Sequence, residues 1–160
     1  MALELNVKAT SGLSGTAGSL LQLKDAQAVY SIGPTESVYQ AVAKMSEYRV
    51  GALFVMQGPT LLGVISERDY TRNVILHGRS SKDTRVEEIM SAPAIHVESS
   101  TPLVECMNII NERRIRHLPV MEGGKVIGGL SIGDLVRAIV HQQAGIIEQL
   151  HALVNDPYPA

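Results

Sequence analysis

The chain has 160 residues, 45% of them hydrophobic and 19% charged, which suits one compact domain and argues against disorder. Its formal net charge is −2, only 4% of residues are aromatic and Trp is absent, so neither a basic field nor stacking platforms point to nucleic acid. The single cysteine, Cys106, excludes an intramolecular disulfide and a multi-cysteine metal site, and no run reaches the roughly 18 apolar residues of a membrane span.

Residues 1–17 are rich in Gly, Ser, Thr and Ala and contain no apolar stretch of signal-peptide type, so they read as a flexible lead-in. With the reducing environment that one cysteine suits, this gives a cytoplasmic location as the expectation, or an organellar stroma or matrix in a eukaryote. Residues 31–78 and 96–143 then align without a gap at a constant offset of 65, as Ser66 with Ser131 and Asp69 with Asp134 show. The chain is an internal duplication. Half-sized units of this kind bury their apolar faces on one another, so the cleft between them is where function is sought. The boundaries that follow are residues 18–82 for the first repeat, 83–143 for the second, and 144–160 for a C-terminal helical extension and tail.

In the first repeat Val38, Ala41, Val42 and Met45 fall at helical spacing, and Leu103, Cys106, Met107 and Ile110 repeat the pattern. Thr101 and Pro102 predict the N-cap and first turn of the later helix. Apolar runs at 52–56 and 61–65, and again at 117–121 and 126–130, read as strands joined by glycine-containing hairpin turns. Met45, Met56, Met107 and Met121 fall within this pattern as core. A second helix opens at Ser66 and at Ser131, so each repeat runs strand, helix, strand, strand, helix, an α/β (α+β) arrangement. Between the copies, Thr84 and Glu87 predict a capping box for a short helix ending before Ser91-Ala92-Pro93. At the end of the chain Leu135, Ile139, Ile146, Leu150 and Leu153 continue a helical pattern up to Asp156-Pro157, and this extension covers the core or meets another subunit.

The elements Gly63-Val64-Ile65-Ser66-Glu67-Arg68-Asp69 and Gly128-Gly129-Leu130-Ser131-Ile132-Gly133-Asp134 share the form G-x-h-S-x-x-D. Two readings stand side by side. Ser and Asp three apart at a strand-to-helix junction make a capping box. A helix N-terminus with a Ser hydroxyl also favours phosphate, and a carboxylate one turn on can accept two hydrogen bonds from the vicinal hydroxyls of a ribose. Capping orients the same side chains, so the roles coexist.

On these two elements, the strands at 50–55 and 115–120, and the duplication itself, the chain resembles the tandem CBS domain family, over roughly residues 29–143. The stretch Gly78-Arg79-Ser80-Ser81-Lys82 and the residues from Arg113 to Pro119 look like stand-alone CBS-pair proteins of bacteria and plant organelles. The resemblance implies two pseudo-symmetric repeats forming a regulatory module that binds an adenosine derivative (AMP, ADP, ATP or NAD(H)) in the cleft and transmits its occupancy. It implies that Asp69 and Asp134 each hold a ribose, that Ser66 and Ser131 lie beside phosphate, and that Arg116 and His117, before the strand containing Pro119, face the phosphates. Their counterparts Gly51 and Ala52 cannot neutralise phosphate, so the two sites are chemically unequal. Backbone near Ile32 and Ile95 completes the adenine pockets. Arg68 either supplies part of the charge missing at Gly51 and Ala52 or is a solvated arginine at a helix start, and Arg79 and Lys82 either reach phosphate or are solvated.

His77, His96, His117, His141 and His151 form no close metal-ligand pair, so no metal is expected. Cys106 lies on an apolar stripe and reads as an inert thiol. No serine sits in a G-x-S-x-G elbow, so catalysis is not expected. The resemblance further implies a homodimer formed through helices. The alternative it leaves is a regulator of a protein partner, for example a redox partner as among plant relatives associated with thioredoxin, with a vestigial nucleotide pocket.

Overall fold

The apolar runs form strands within a residue or two of the expected places, and their pairing repeats in both halves. The computed structural model describes residues 13–24 and 29–155. In the first half β1 (Ser31–Ile32) runs parallel to β2 (Ala52–Gln57), which pairs antiparallel with β3 (Thr60–Ser66). In the second, β4 (Val97–Glu98) runs parallel to β5 (His117–Glu122), which pairs antiparallel with β6 (Lys125–Ser131). Both ladders shift register at the same place, between Val55 and Met56 and between Val120 and Met121.

The helices are α1 (Ala17–Leu23), α2 (Val38–Tyr48), α3 (Glu67–Tyr70), α4 (Val86–Ile89), α5 (Leu103–Arg113) and α6 (Ile132–Asn155). After α3 a π-helical turn, Thr71–Ile75, completes the last helix of the first repeat, whereas α6 runs 24 residues. Each half has its own core, and the duplicated positions occupy equivalent places: Met45, Leu53, Val55 and Ile65 in one, Ile110, Leu118, Val120 and Leu130 in the other. Met56 and Met121, expected in the core, are only half-buried, because they sit at the register shift beside the hairpin turns.

The two halves are interlocked by the segments that precede them. Helix α1 buries Ala17, Leu20 and Leu21 in the core of the second half, and α4 buries Val86 and Ile89 in that of the first. Thus residues near the start of the 18–82 span pack on the second half, and residues near the start of the 83–143 span pack on the first. Thr16 bridges to Pro102, and Arg85 bridges to Ser37 in the equivalent position. Each buried aliphatic side chain contributes up to about 1.5–3 kcal/mol, so α4 holds its place by burial although it is too short to be stable alone.

Three local readings are corrected. The short helix is capped one residue later than expected: Glu88 Oε2 accepts the Arg85 N–H at 2.6 Å, while the buried Thr84 hydroxyl donates to the Ser80 carbonyl at 2.7 Å. Pro102, not Thr101, is the N-cap of α5, and the Thr101 hydroxyl accepts the Glu98 N–H at 3.1 Å. Residues 1–12 of the expected lead-in lie outside the described residues, and its end is ordered, since Thr16 caps α1 and Ala17 is fully buried. The expected helix end at Asp156-Pro157 also lies outside the described residues.

Gly63 and Gly145 give a test of this arrangement. A Cβ on Gly63 would stand 2.5 Å from the Ser91 carbonyl oxygen, which the Val64 N–H fixes at 3.0 Å, so the backbone cannot yield. Gly145 lies within α6 with nothing near. Thermal unfolding is expected to show Gly63→Ala destabilised by about 1–3 kcal/mol and Gly145→Ala stabilised by about 0.5–1 kcal/mol.

Candidate ligand-binding cleft

The capping reading of both S-x-x-D elements is correct in detail. Asp69 Oδ2 accepts the Ser66 N–H at 2.8 Å and the Ser66 hydroxyl at 2.9 Å, and the Asp69 N–H donates to Ser66 Oγ at 3.3 Å. Asp134 Oδ2 accepts the Ser131 N–H at 2.8 Å, with the Asp134 N–H donating to Ser131 Oγ at 3.2 Å. These boxes hold both carboxylates at the mouths of two hollows between the halves.

The first hollow, about 510 Å³, sets Ser66, Arg68 and Asp69 of the first repeat against Ile95, Arg116 and His117 of the second. The second, about 440 Å³, sets Ser131 and Asp134 against Gly51 and Ala52. The duplication carries one hollow onto the other: the stretch 113–117 lines the first, and its equivalent 48–52 lines the second. Gly51, His117 and Ser131 border both, with His117 ring atoms 3.5 Å from where a Cβ on Gly51 would lie. Arg116 and His117 therefore face Asp69, and Gly51 and Ala52 face Asp134.

Four assignments change. Ile32 is buried in the first core and lines neither hollow; the residue equivalent to Ile95 is Tyr30, which lines the second hollow and stacks on Tyr48 at 4.5 Å between ring centroids. Pro119 is fully buried in β5, opposite Gly129, and also lines neither hollow. Arg68 joins Arg116 in the first hollow instead of compensating for Gly51 and Ala52 in the second. Arg79 is tied to Glu88 at 2.7 Å, and Lys82 lies over the Tyr39 ring at 5.1 Å, so neither lines a hollow.

Two cationic residues line the second hollow, Arg49 and Lys24, and the one that meets Asp134 is Lys24, just after α1. Its Nζ donates to Asp134 Oδ2 at 2.8 Å and to the Gly129 carbonyl at 2.9 Å, and Arg137 donates to Asp134 Oδ1 at 2.6 Å. Both oxygens of Asp134 are taken. Asp69 has no such partners: its Oδ1 is unbonded among the described residues, and Arg72, the counterpart of Arg137, forms no ion pair with it. Sequence reasoning passed over Lys24 because it precedes the duplicated stretch, and passed over Arg113 and Arg114, which extending the Arg116 argument back along the loop would have found.

Electrostatics sharpen the contrast. Burial pushes the Asp134 carboxyl up, but Lys24, the Ser131 N–H and Arg137 more than reverse this and hold it below the ordinary aspartate value. Burial also lowers the His117 imidazole, and Arg116 and Lys24 add to this against the opposing pull of Asp134. These effects favour the neutral form of His117 at neutral pH. The Cys106 thiol is buried and pushed up to about 11, which makes it inert at neutral pH. No group of three or more His, Cys, Asp or Glu side chains suits a metal ion among the described residues, and no helix is long and apolar enough to cross a membrane.

A family model for the CBS domain matches residues 25–75 and again residues 86–141. The chain belongs to the CBS-domain family. A mitochondrial CBS domain-containing protein of Arabidopsis thaliana is 41% identical over 77% of this chain, which spans only 62% of that relative's length. The structure of a putative signal-transduction protein with CBS domains from Burkholderia ambifaria superposes with a TM-score of 0.78 at 45% identity, covering 81% of this chain and 96% of that one. A CBS domain protein from Pyrobaculum aerophilum, solved complexed with AMP, superposes at 0.70 with 25% identity, over 82% of this chain and 99% of the other. Two CBS repeats packed as a pair are thus the architecture of this chain.

The lysine clamp in this CBS pair has a pH signature. Because the folded-state value of Asp134 is depressed, its contribution to stability is present above the ordinary aspartate value of 3.8 and is lost as pH falls through the folded value. Removing Lys24 takes away the largest of the interactions that lower this value and leaves the Ser131 N–H and Arg137 to oppose burial. Acid titration of Lys24→Met is expected to show unfolding beginning at a higher pH than in the parent, with about 1–3 kcal/mol lost at pH 7.

Proposed function

We propose that this CBS pair is a non-catalytic regulatory module that binds one adenosine-containing nucleotide per chain in the Asp69 hollow. The observation that carries this reading is the contrast between the two carboxylates: Asp134 is saturated by Lys24 and Arg137, while Asp69 keeps one oxygen free at the mouth of an open cavity. A cavity of about 510 Å³ is of the size that holds small cofactors. The AMP complex of the Pyrobaculum relative supports the ligand class. In this reading Asp69 accepts hydrogen bonds from the ribose hydroxyls, residues around Ile95 contact the base, and the α3 N-terminus with Arg116 meets phosphate. The Ser66 hydroxyl donates to Asp69, and no hydrogen bond joins it to a histidine among the described residues, so the geometry gives no support to a serine nucleophile.

Occupancy of the hollow draws the first-repeat helix start toward the second-repeat loop, and this geometry is what a second copy of the chain or a protein partner reads. The alternative, a protein-interaction regulator with a vestigial pocket, draws on the Asp134 carboxylate being already taken by Lys24 and Arg137. The two are separated by calorimetry and thermal shift against AMP, ADP, ATP, NAD(H) and S-adenosylmethionine. Binding of one molecule per chain is expected, with about 2.7 kcal/mol of stabilisation at 100 times the dissociation constant, lost in Asp69→Ala and retained in Asp134→Ala. If none of these compounds binds, the nucleotide reading falls and the interaction reading stands.

The transmitting surface is the outer face of α6. Val136, Val140, Ile147 and Leu150 are each about half exposed and fall on one stripe, with the 3- and 4-residue steps of a helix-pairing seam. A second copy covers this stripe in a two-fold homodimer. Light scattering is expected to give a dimer at micromolar concentration, and Val140→Glu with Ile147→Glu a monomer of unchanged helix content. A monomeric parent chain would refute the pairing.

A further inference from the structure

Building on the nucleotide reading, we infer that the Asp69 hollow selects a nucleoside polyphosphate, a triphosphate above a monophosphate. The hollow is lined by five arginines, Arg68, Arg72, Arg113, Arg114 and Arg116, against two acidic residues, Glu67 and Asp69. In a chain of net charge −2 with 14 lysines and arginines in all, this is a local concentration of positive charge. None of the five side chains has a hydrogen-bond or ion-pair partner among the described residues, whereas Arg79, Arg85 and Arg137 are each paired with a carboxylate.

The pseudo-equivalent hollow supplies an internal control. The positions matching Arg113, Arg114, Arg116 and His117 are Tyr48, Arg49, Gly51 and Ala52, so the same backbone carries one arginine there where the first hollow has three. The surplus charge is thus a property of side-chain choice at one hollow and not of the fold. Arg114 ends α5 in the left-handed region at φ 52°, and its counterpart Arg49 ends α2 in the same way at φ 56°. This arginine is the part of the charge that both hollows share, and Arg113 and Arg116 are the part that differs.

A monophosphate near neutral pH carries close to two negative charges, and each further phosphoryl group adds about one more. Two or three guanidinium groups suffice for the first. Five at the rim are matched by a chain of phosphoryl groups leading from Asp69 past Arg116 toward Arg113 and Arg114. Their exposure places the interaction in the regime where salt screens it.

The test measures dissociation constants of the full chain for AMP, ADP and ATP at about 50 mM and about 300 mM NaCl, with inorganic tripolyphosphate as a further probe. ATP is expected to bind at least about tenfold more tightly than AMP at low salt, with ADP between, and the ATP advantage is expected to shrink at high salt. Arg114→Gly, compatible with the left-handed backbone, is expected to keep or raise the melting temperature while narrowing the ATP-to-AMP ratio severalfold, and adding Arg113→Gln narrows it further. Equal or tighter binding of AMP overturns the polyphosphate inference while leaving the nucleotide reading intact, as does an unchanged ratio in the folded double variant. Tripolyphosphate binding as tightly as ATP overturns the nucleoside half of the inference, and failure of all three nucleotides to bind overturns both readings.

Discussion

A three-stranded sheet covered on one face by its own helices still has an apolar face to bury, and this constraint organises the whole molecule. Neither half resolves it alone. Each borrows a short helix from the chain ahead of the other: Leu20 and Leu21 complete the second core, and Val86 and Ile89 the first. Contact also runs across the middle. Phe54 of the first repeat fills the space over Gly129 of the second, where any Cβ would stand 2.5 Å from the ring. At the equivalent positions the sequence has Pro119 and Val64, so the duplication does not repeat this pair.

Once the halves are set face to face, local chemistry decides what each hollow becomes. The capping boxes at Ser66 and Ser131 are the same device, used twice to hold a carboxylate and a helix N-terminus at the mouth of a cavity. The difference arises outside the boxes. On one side the chain before β1 brings Lys24 onto Asp134; on the other, the chain before β4 brings Pro93 and Ala94, which carry no charge. An inherited symmetry of backbone thereby carries two carboxylates with unequal partners.

Strand positions, the helical stripes and the location of the cleft were legible in the sequence because duplication doubles every local signal: Leu53 with Leu118, or Ser66 with Ser131, report the same environment twice. Helix starts were read less well. Thr84 and Thr101 look like caps by residue type, but both hydroxyls bond within the preceding turn, and the cap falls one residue later. Resemblance places Ile32 at a pocket, whereas the 65-residue offset from Ile95 points to Tyr30, which lies just ahead of β1 and lines the second hollow while Ile32 enters the first core. Lys24 had no local signature, since its partner lies 110 residues away and its own position has no repeat mate.

The imidazole of His117 stands against Gly51 and forms part of both cavity walls. A partition common to two rooms cannot be moved for one alone. Any molecule that tilts this ring from the arginine-lined side also reshapes the lysine-clamped side, so the two cavities are coupled through one neutral ring.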